Sequence, residues 1–148
     1  MSVIDNFDSR YVLGIDPMDT THREFVDLVN RLAAADKAGF TAGFPELLAH
    51  TRDHFAAEER LMEQCRFPAI GEHRSEHARV LGEMERFGAQ VASGRTKLAR
   101  AYLVEQLPQW FDLHAATMDS ALAACLKGWV QVAAPSATTR EARNSPLT

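Results

Sequence analysis

The sequence predicts an all-α protein, a four-helix up-and-down antiparallel bundle with an N-terminal arm and a disordered C-terminal tail. Three observations carry that prediction. Apolar residues recur at steps of three and four through four long stretches, the spacing that gathers them on one face of a helix. No stretch shows the strict alternation of a half-buried strand. The breaks between stretches are short, which sets consecutive helices side by side and antiparallel.

The first helix is expected from about residue 17 to about residue 36. "GIDPMDTTH" offers Asp16 as N-cap and Pro17 at the first helical position, and His22, Phe25, Val29 and Leu32 follow on one stripe. "KAGFTAGF" carries two glycines and reads as a break. The second helix has Leu47, Thr51, His54, Glu58, Leu61 and Cys65 on its stripe and is expected to end at "CRFP", where Pro68 stops it. The third carries Ile70, His73, His77, Val80, Met84, Phe87 and Val91, with Gly94 as its C-terminal stop. The fourth, from about residue 97 to Lys127, carries Leu103, Leu107, Trp110, His114, Ala121 and Cys125. Pro108 lies inside it and is expected to kink it or to split off its first turns. Ahead of the bundle runs an arm that Phe7 and Tyr11 would pack. The bundle is assigned to residues 1–130 and the tail to 131–148, where "AAPSATTREARNSPLT" lacks periodicity.

A chain of 148 residues is about one domain long. Its net charge of -4 is spread among interspersed acids and bases without a basic stripe, which argues against a nucleic-acid partner. "MSVIDNFDSR" has neither a basic start nor an apolar run, and nothing later approaches the roughly 18 apolar residues a membrane span needs. A cytoplasmic protein with no membrane association is therefore expected. Cys65 and Cys125 lack C-x-x-C spacing and fall on apolar helical faces, which reads as buried free thiols in a reducing compartment.

The apolar stripes are interrupted where a core should be apolar, by His22, His54, Glu58, His73, His77 and His114. One buried histidine is ordinary. Five imidazoles and a carboxylate turned inward forgo about 1.5–3 kcal/mol of apolar burial at each position, and bound metal would offset that loss. A single zinc ion is satisfied by four ligands, so two metal ions suit this set better. Such a pair needs bridging carboxylates. Glu58 stands one turn from His54, and Asp119, five residues after His114, offers the second bridge. Five residues turn about 140° round an ideal α-helix, so His114 and Asp119 are expected at opposite edges of one stripe. "HRSEH" also matches the H-x-x-E-H pattern of one class of zinc peptidases. Glu76 stands about 100° round the helix from His77, however, and reads as a solvated side chain, which removes the peptidase reading. Glu59 and His50 are likewise read as surface residues.

A histidine on the first helix, "HFAAE" on the second, "HRSEH" taken as H-x-x-x-H on the third and "HAATMD" taken as H-x-x-x-x-D on the fourth together resemble the hemerythrin family. "GIDPMDTTH", "HFAAEERLM" and "WFDLH" extend the likeness, which is close to the single-domain bacterial members, the bacteriohemerythrins, over about residues 7 to 127. The resemblance implies two iron ions, one held by His73, His77 and His114 and the other by His22 and His54, bridged by Glu58, Asp119 and an oxo or hydroxo group. It implies that dioxygen binds reversibly, as a hydroperoxide, at the iron with two histidines. The expected role is non-enzymatic: oxygen storage, transport or delivery to an oxygen-requiring enzyme, by a monomer. An oxygen or redox sensor, and a di-iron enzyme such as a peroxidase, nitric oxide scavenger or ferroxidase, are the alternatives. Phe55, Leu61, Trp110 and Phe111 are candidate walls of a dry oxygen pocket. Ala115 departs from the bulky aliphatic residue that commonly follows the fourth-helix histidine in the family, which implies less cover over the oxygen site and faster oxidation.

Overall fold

The structure, a computed structural model, describes residues 2–129; the expected tail at 131–148 lies outside the described residues. The chain forms a short α1 (Phe7–Arg10), then α2 (Asp16–Ala34), α3 (Lys37–Gln64) and α4 (Ile70–Ala92). The fourth long helix is assembled from pieces: α5 (Lys97–Ala101), a π-helical turn (Tyr102–Gln106), α6 (Leu107–His114), a second π-helical turn (Ala115–Asp119) and a final α-helical run over 120–129. No strand occurs among the described residues, and none of their helices is long and apolar enough to cross a membrane.

The up-and-down order can be followed through two apolar clusters. One contains Met18, Met62, Phe67 and Leu122; the other contains Phe25, Phe55, Val80 and Phe111. α2 runs from the first cluster at Met18 to the second at Phe25, and α3 returns from Phe55 to Met62. α4 goes from Ile70, packed on the first cluster, to Val80 in the second, and the last helix comes back from Phe111 to Leu122. On every helix a candidate ligand lies between these two stations, and on α3 His54 stands immediately before Phe55. The four helices therefore deliver one polar layer between two apolar ones.

Several boundaries differ from the sequence expectation, each for a local reason. α2 begins at Asp16, with Ile15 rather than Asp16 as N-cap, and Pro17 keeps its place in the first turn. The side chain that organises this entry is Asp19, whose carboxylate accepts the Leu13 and Gly14 N–H groups at 2.8 and 3.1 Å. "KAGFTAGF" is not a break but the opening turns of α3. Asp36 caps it by accepting the Gly39 N–H at 2.8 Å, and Gly43 meets α2 closely: a Cβ there would lie 2.5 Å from Leu32 Cδ2, so the end of that side chain would have to shift. Close packing, not chain breaking, is what Gly43 supplies. α3 ends before Pro68 is reached. Arg66 adopts φ 56°, its N–H donates to the Glu63 carbonyl, and the Phe67 N–H donates to that of Met62, a Schellman closure with arginine where glycine is usual. Gly94 closes α4 in the same way, at φ 86°, as its position foretold.

Pro108 neither splits nor ends the fourth helix. It sits at the start of α6, immediately after the π-helical turn, so the backbone irregularity that a mid-helix proline demands is taken up in a wider turn. The arm is more ordered than its composition suggests. Asn30 of α2 accepts the Val3 and Ile4 N–H groups through Oδ1, both at 3.0 Å, and donates to the Ile4 carbonyl at 2.8 Å. Tyr11 is buried, its ring 4.9 Å from that of Phe111 and its hydroxyl bonded to Asp112.

Candidate metal centre

All seven candidate ligands lie in the polar layer and all are buried, none more than 4% exposed. α2 contributes His22, α3 contributes His54 and Glu58 one turn apart, α4 contributes His73 and His77 one turn apart, and the fourth helix contributes His114 and Asp119. Glu58 faces two ways. Its Oε2 lies 2.9 Å from His22 Nε2 and 2.7 Å from His54 Nε2, while its Oε1 lies 3.5 Å from His73 Nε2 and 3.2 Å from His77 Nε2. Asp119 divides likewise, with Oδ2 3.1 Å from His22 Nε2 and Oδ1 3.1 and 3.2 Å from the Nε2 atoms of His73 and His114. The imidazoles thus sort into a group of three and a group of two, with both carboxylates reaching across.

The position of Asp119 corrects the helical-wheel expectation. His114 and Asp119 do not stand at opposite edges, because Ala115–Asp119 is wound as a π-helical turn. That winding closes i to i+5, so residues five apart come to the same face and their side-chain atoms meet at 3.2 Å.

Without a cation the arrangement is electrostatically expensive. Burial works against charge on His22, but hydrogen bonds to Asp119 and Glu58 outweigh it and raise His22 to about 10; the same balance raises His73 to about 9. Burial together with the neighbouring His73 and His114 depresses His77. Burial opposes ionisation of Glu58 too, yet His54, His22 and His73 hold it well below the usual carboxylate range, and His114, His22 and His73 do the same for Asp119 against burial and the Glu58 charge. The Nδ1 atoms of the five candidate histidine ligands are buried and have no hydrogen-bond partner among the described residues. Leaving such atoms unsatisfied costs about 1–3 kcal/mol each. Converging imidazole nitrogens with two carboxylates that each present their oxygens to different imidazole groups are a donor set for two divalent transition metals, and they fit a di-iron site.

The layer is walled by rings. Phe55 stacks on His77 with centroids 3.9 Å apart and planes 1° apart, and Trp110 lies over His114 at 4.5 Å. Phe111 meets His22 edge-on at 5.5 Å, and Ala115 is 2% exposed. Leu61 departs from this company: it is half-buried and packs with Met18, Met62 and Leu122 on the other side of the layer. Two wall residues escaped the sequence reading. Phe25 lies 6.0 Å from His54 and 5.0 Å from Phe111, and Phe67 lies edge-on to His73 at 6.1 Å. Nothing separates such rings from ordinary core residues in one sequence, although Phe25 stands one turn from His22.

Three side chains read as plain surface residues have partners. Glu76 accepts a hydrogen bond from Trp110 Nε1 at 2.8 Å and is bonded to Arg79, whose hydrogen bond lowers it to about 2. It therefore holds the indole that covers His114. Glu59 lies 3.8 Å from His77 Nδ1, and His50 meets Glu24 at 3.1 Å at the mouth of a cleft of about 320 Å³ that reaches His54.

A bundle of four helices with a buried layer of five histidines and two carboxylates defines a class of protein, the helical-bundle carriers of a dinuclear metal centre. The Hemerythrin HHE cation binding domain matches residues 13–126. The bacteriohemerythrin of Ralstonia nicotianae is 38% identical over 107 residues, covering 72% of this chain and 77% of that protein. The bacteriohemerythrin of Aquifex aeolicus is 30% identical over 111 residues, 72% of this chain and 85% of its own. The myohemerythrin of Riftia pachyptila is 24% identical over 101 residues, 68% of this chain and 82% of that protein. Crystal structures of hemerythrin variants share the fold, with a TM-score of 0.77 at 18% identity over 85% of this chain and 98% of theirs. The chain belongs to the hemerythrin family.

Proposed function

We propose that this protein binds dioxygen reversibly at a di-iron centre, with His73, His77 and His114 on one iron, His22 and His54 on the other, and Glu58 and Asp119 bridging. One observation carries the reading: the imidazoles divide three against two around carboxylates whose paired oxygens face different groups. The group of two has fewer protein donors, which leaves room beside it for a small ligand. Bound iron would supply both the electrons that dioxygen takes up and the position at which it binds.

The chain's own residues do the rest. Glu58 and Asp119 neutralise two cationic charges in a site that excludes water, and the five neutral imidazoles add none. Phe25, Phe55 and Phe111 form an apolar wall against His54, His77 and His22, which keeps water and protons from the ligand. Trp110, tied to Glu76, covers His114. Among the described residues, every buried carboxylate and imidazole is one of the seven proposed ligands, so the layer holds no spare carboxylate or imidazole to drive turnover. A storage, transport or delivery role follows more naturally than catalysis.

The test is spectroscopic. The reduced protein is loaded with iron without air, oxygen is admitted while the visible spectrum is recorded, and the oxygen is then removed. A charge-transfer band that appears and then vanishes on deoxygenation supports a carrier. A band that decays irreversibly to the oxidised form overturns reversible carriage and points to sensing or to an oxidising enzyme.

A further inference from the structure

Two side chains meet away from the metal centre. Cys65 follows α3 directly and is buried, whereas Cys125 lies on the last helical run and is half-buried. The Cys125 thiol donates to the Cys65 carbonyl at 3.3 Å across 60 positions of chain. Both pack with Met18, Met62, Phe67 and Leu122 in one apolar cluster, and the polar partners of the two thiols are backbone carbonyls: that of Cys65 for Cys125 and that of Met62, at 3.9 Å, for Cys65. Cys65 stands seven residues after Glu58, and Cys125 stands six after Asp119. Their contact therefore joins the two helices that carry the carboxylate pair, about two turns further along. Burial and the neighbouring Cys125 thiol push Cys65 up to about 12, which keeps it mostly as the thiol and slows its direct reaction with oxidants. Cys125, half-buried where Cys65 is buried, is the sulfur that a small oxidant reaches first.

We propose that Cys65 and Cys125 form a modification site, a dithiol that hydrogen peroxide closes to an intramolecular disulfide and a dithiol reductant reopens. The Cys125 sulfur takes one oxygen of the peroxide as the O–O bond breaks, giving a sulfenic acid and one water. The Cys65 sulfur then attacks that sulfur, the S–O bond breaks, and a second water leaves with the Cys65 proton. Two electrons pass from the thiols to the peroxide. Hydrogen peroxide is the two-electron reduction product of dioxygen, which makes it a natural oxidant for thiols beside an oxygen-binding centre. The pairing itself does not depend on that reading of the centre.

The experiment treats the full-length, iron-loaded protein with increasing hydrogen peroxide, quenches with catalase, and follows intact mass and thiol alkylation after denaturation. The expected result is that both thiols disappear together, the mass falls by two hydrogens, the chain stays monomeric on a non-reducing gel, and dithiothreitol restores both. In Cys65→Ser the peroxide should leave Cys125 as a sulfenic acid trapped by dimedone, at several-fold the wild-type yield. In Cys125→Ser the Cys65 thiol should remain alkylatable. Consumption of Cys125 in the wild type while Cys65 stays alkylatable, or a disulfide-linked dimer, would overturn the proposal.

Discussion

Each oxygen of Glu58 faces a different group of imidazoles, so its removal and the removal of a single histidine are different experiments. On the proposed assignment His54→Ala strips one donor from the group of two and leaves the group of three intact. Iron analysis of the purified variant should find about one iron per chain where the wild type takes two, and no oxygen-dependent band. Two irons with an unchanged band would sink the assignment. Glu76 gives a second test at this scale. Its carboxyl is lowered from 4.5 to about 2 in the folded chain, so it contributes stability that is present above pH 4.5 and lost as pH falls through about 2. Glu76→Gln should remove that part of the acid limb of stability and free the indole of Trp110. Thermal melts between those pH values, with tryptophan emission, would read both; a variant with the wild-type acid limb shows that the carboxylate does not anchor Trp110.

At the scale of elements, α3 depends on how it starts. Asp36 fastens the turn that opens it, two residues after α2 ends, so Asp36→Ala should cost about 1 kcal/mol in chemical denaturation while leaving the iron spectrum unchanged. No loss of stability would mean that packing of Phe40 and Phe44 alone sets this start. The same element shows what a single sequence conceals. Two glycines in eight residues are the mark of a break in one chain context and of close helix contact in another, and only Leu32 pressing on position 43 decides between them. Pro108 and Asp119 carry a similar lesson. An ideal α-helix misplaces both, and the fourth helix escapes that frame by widening to π geometry shortly before one and up to the other.

For the whole molecule, the metal centre doubles as the polar layer of the core, and metal-free and loaded protein should differ in their response to pH. Without metal, His22 and His73 are raised from 6.5 to about 10 and about 9, so the stability they contribute is complete below pH 6.5 and is lost as pH rises through those values. Melting temperatures of metal-free protein should therefore fall between pH 7 and pH 10. Loaded protein, in which on the proposed assignment the imidazoles hold metal in place of protons, should resist that fall and release protons as metal is taken up. A metal-free melting temperature that stays level over the same range would show that the histidines do not act as counter-charges to Glu58 and Asp119.

Helix content, the up-and-down order and the polar positions inside the core were legible in linear spacing, because a helical period maps sequence distance directly onto a face and because buried histidine is too costly to recur without a cause. His22, His54, Glu58, His73, His77 and His114 stood out on those grounds, one helix at a time. Other features depend on distances between helices, which no periodicity encodes. Among these are the division of oxygens on Glu58 and Asp119, the alignment of Asp119 with His114 through a widened turn, the partnership of Glu76 with Trp110, the rings of Phe25 and Phe67 over their imidazoles, and the meeting of Cys65 with Cys125. Each arises where side chains far apart in the chain compete for the same buried space, and packing alone settles which of them touch.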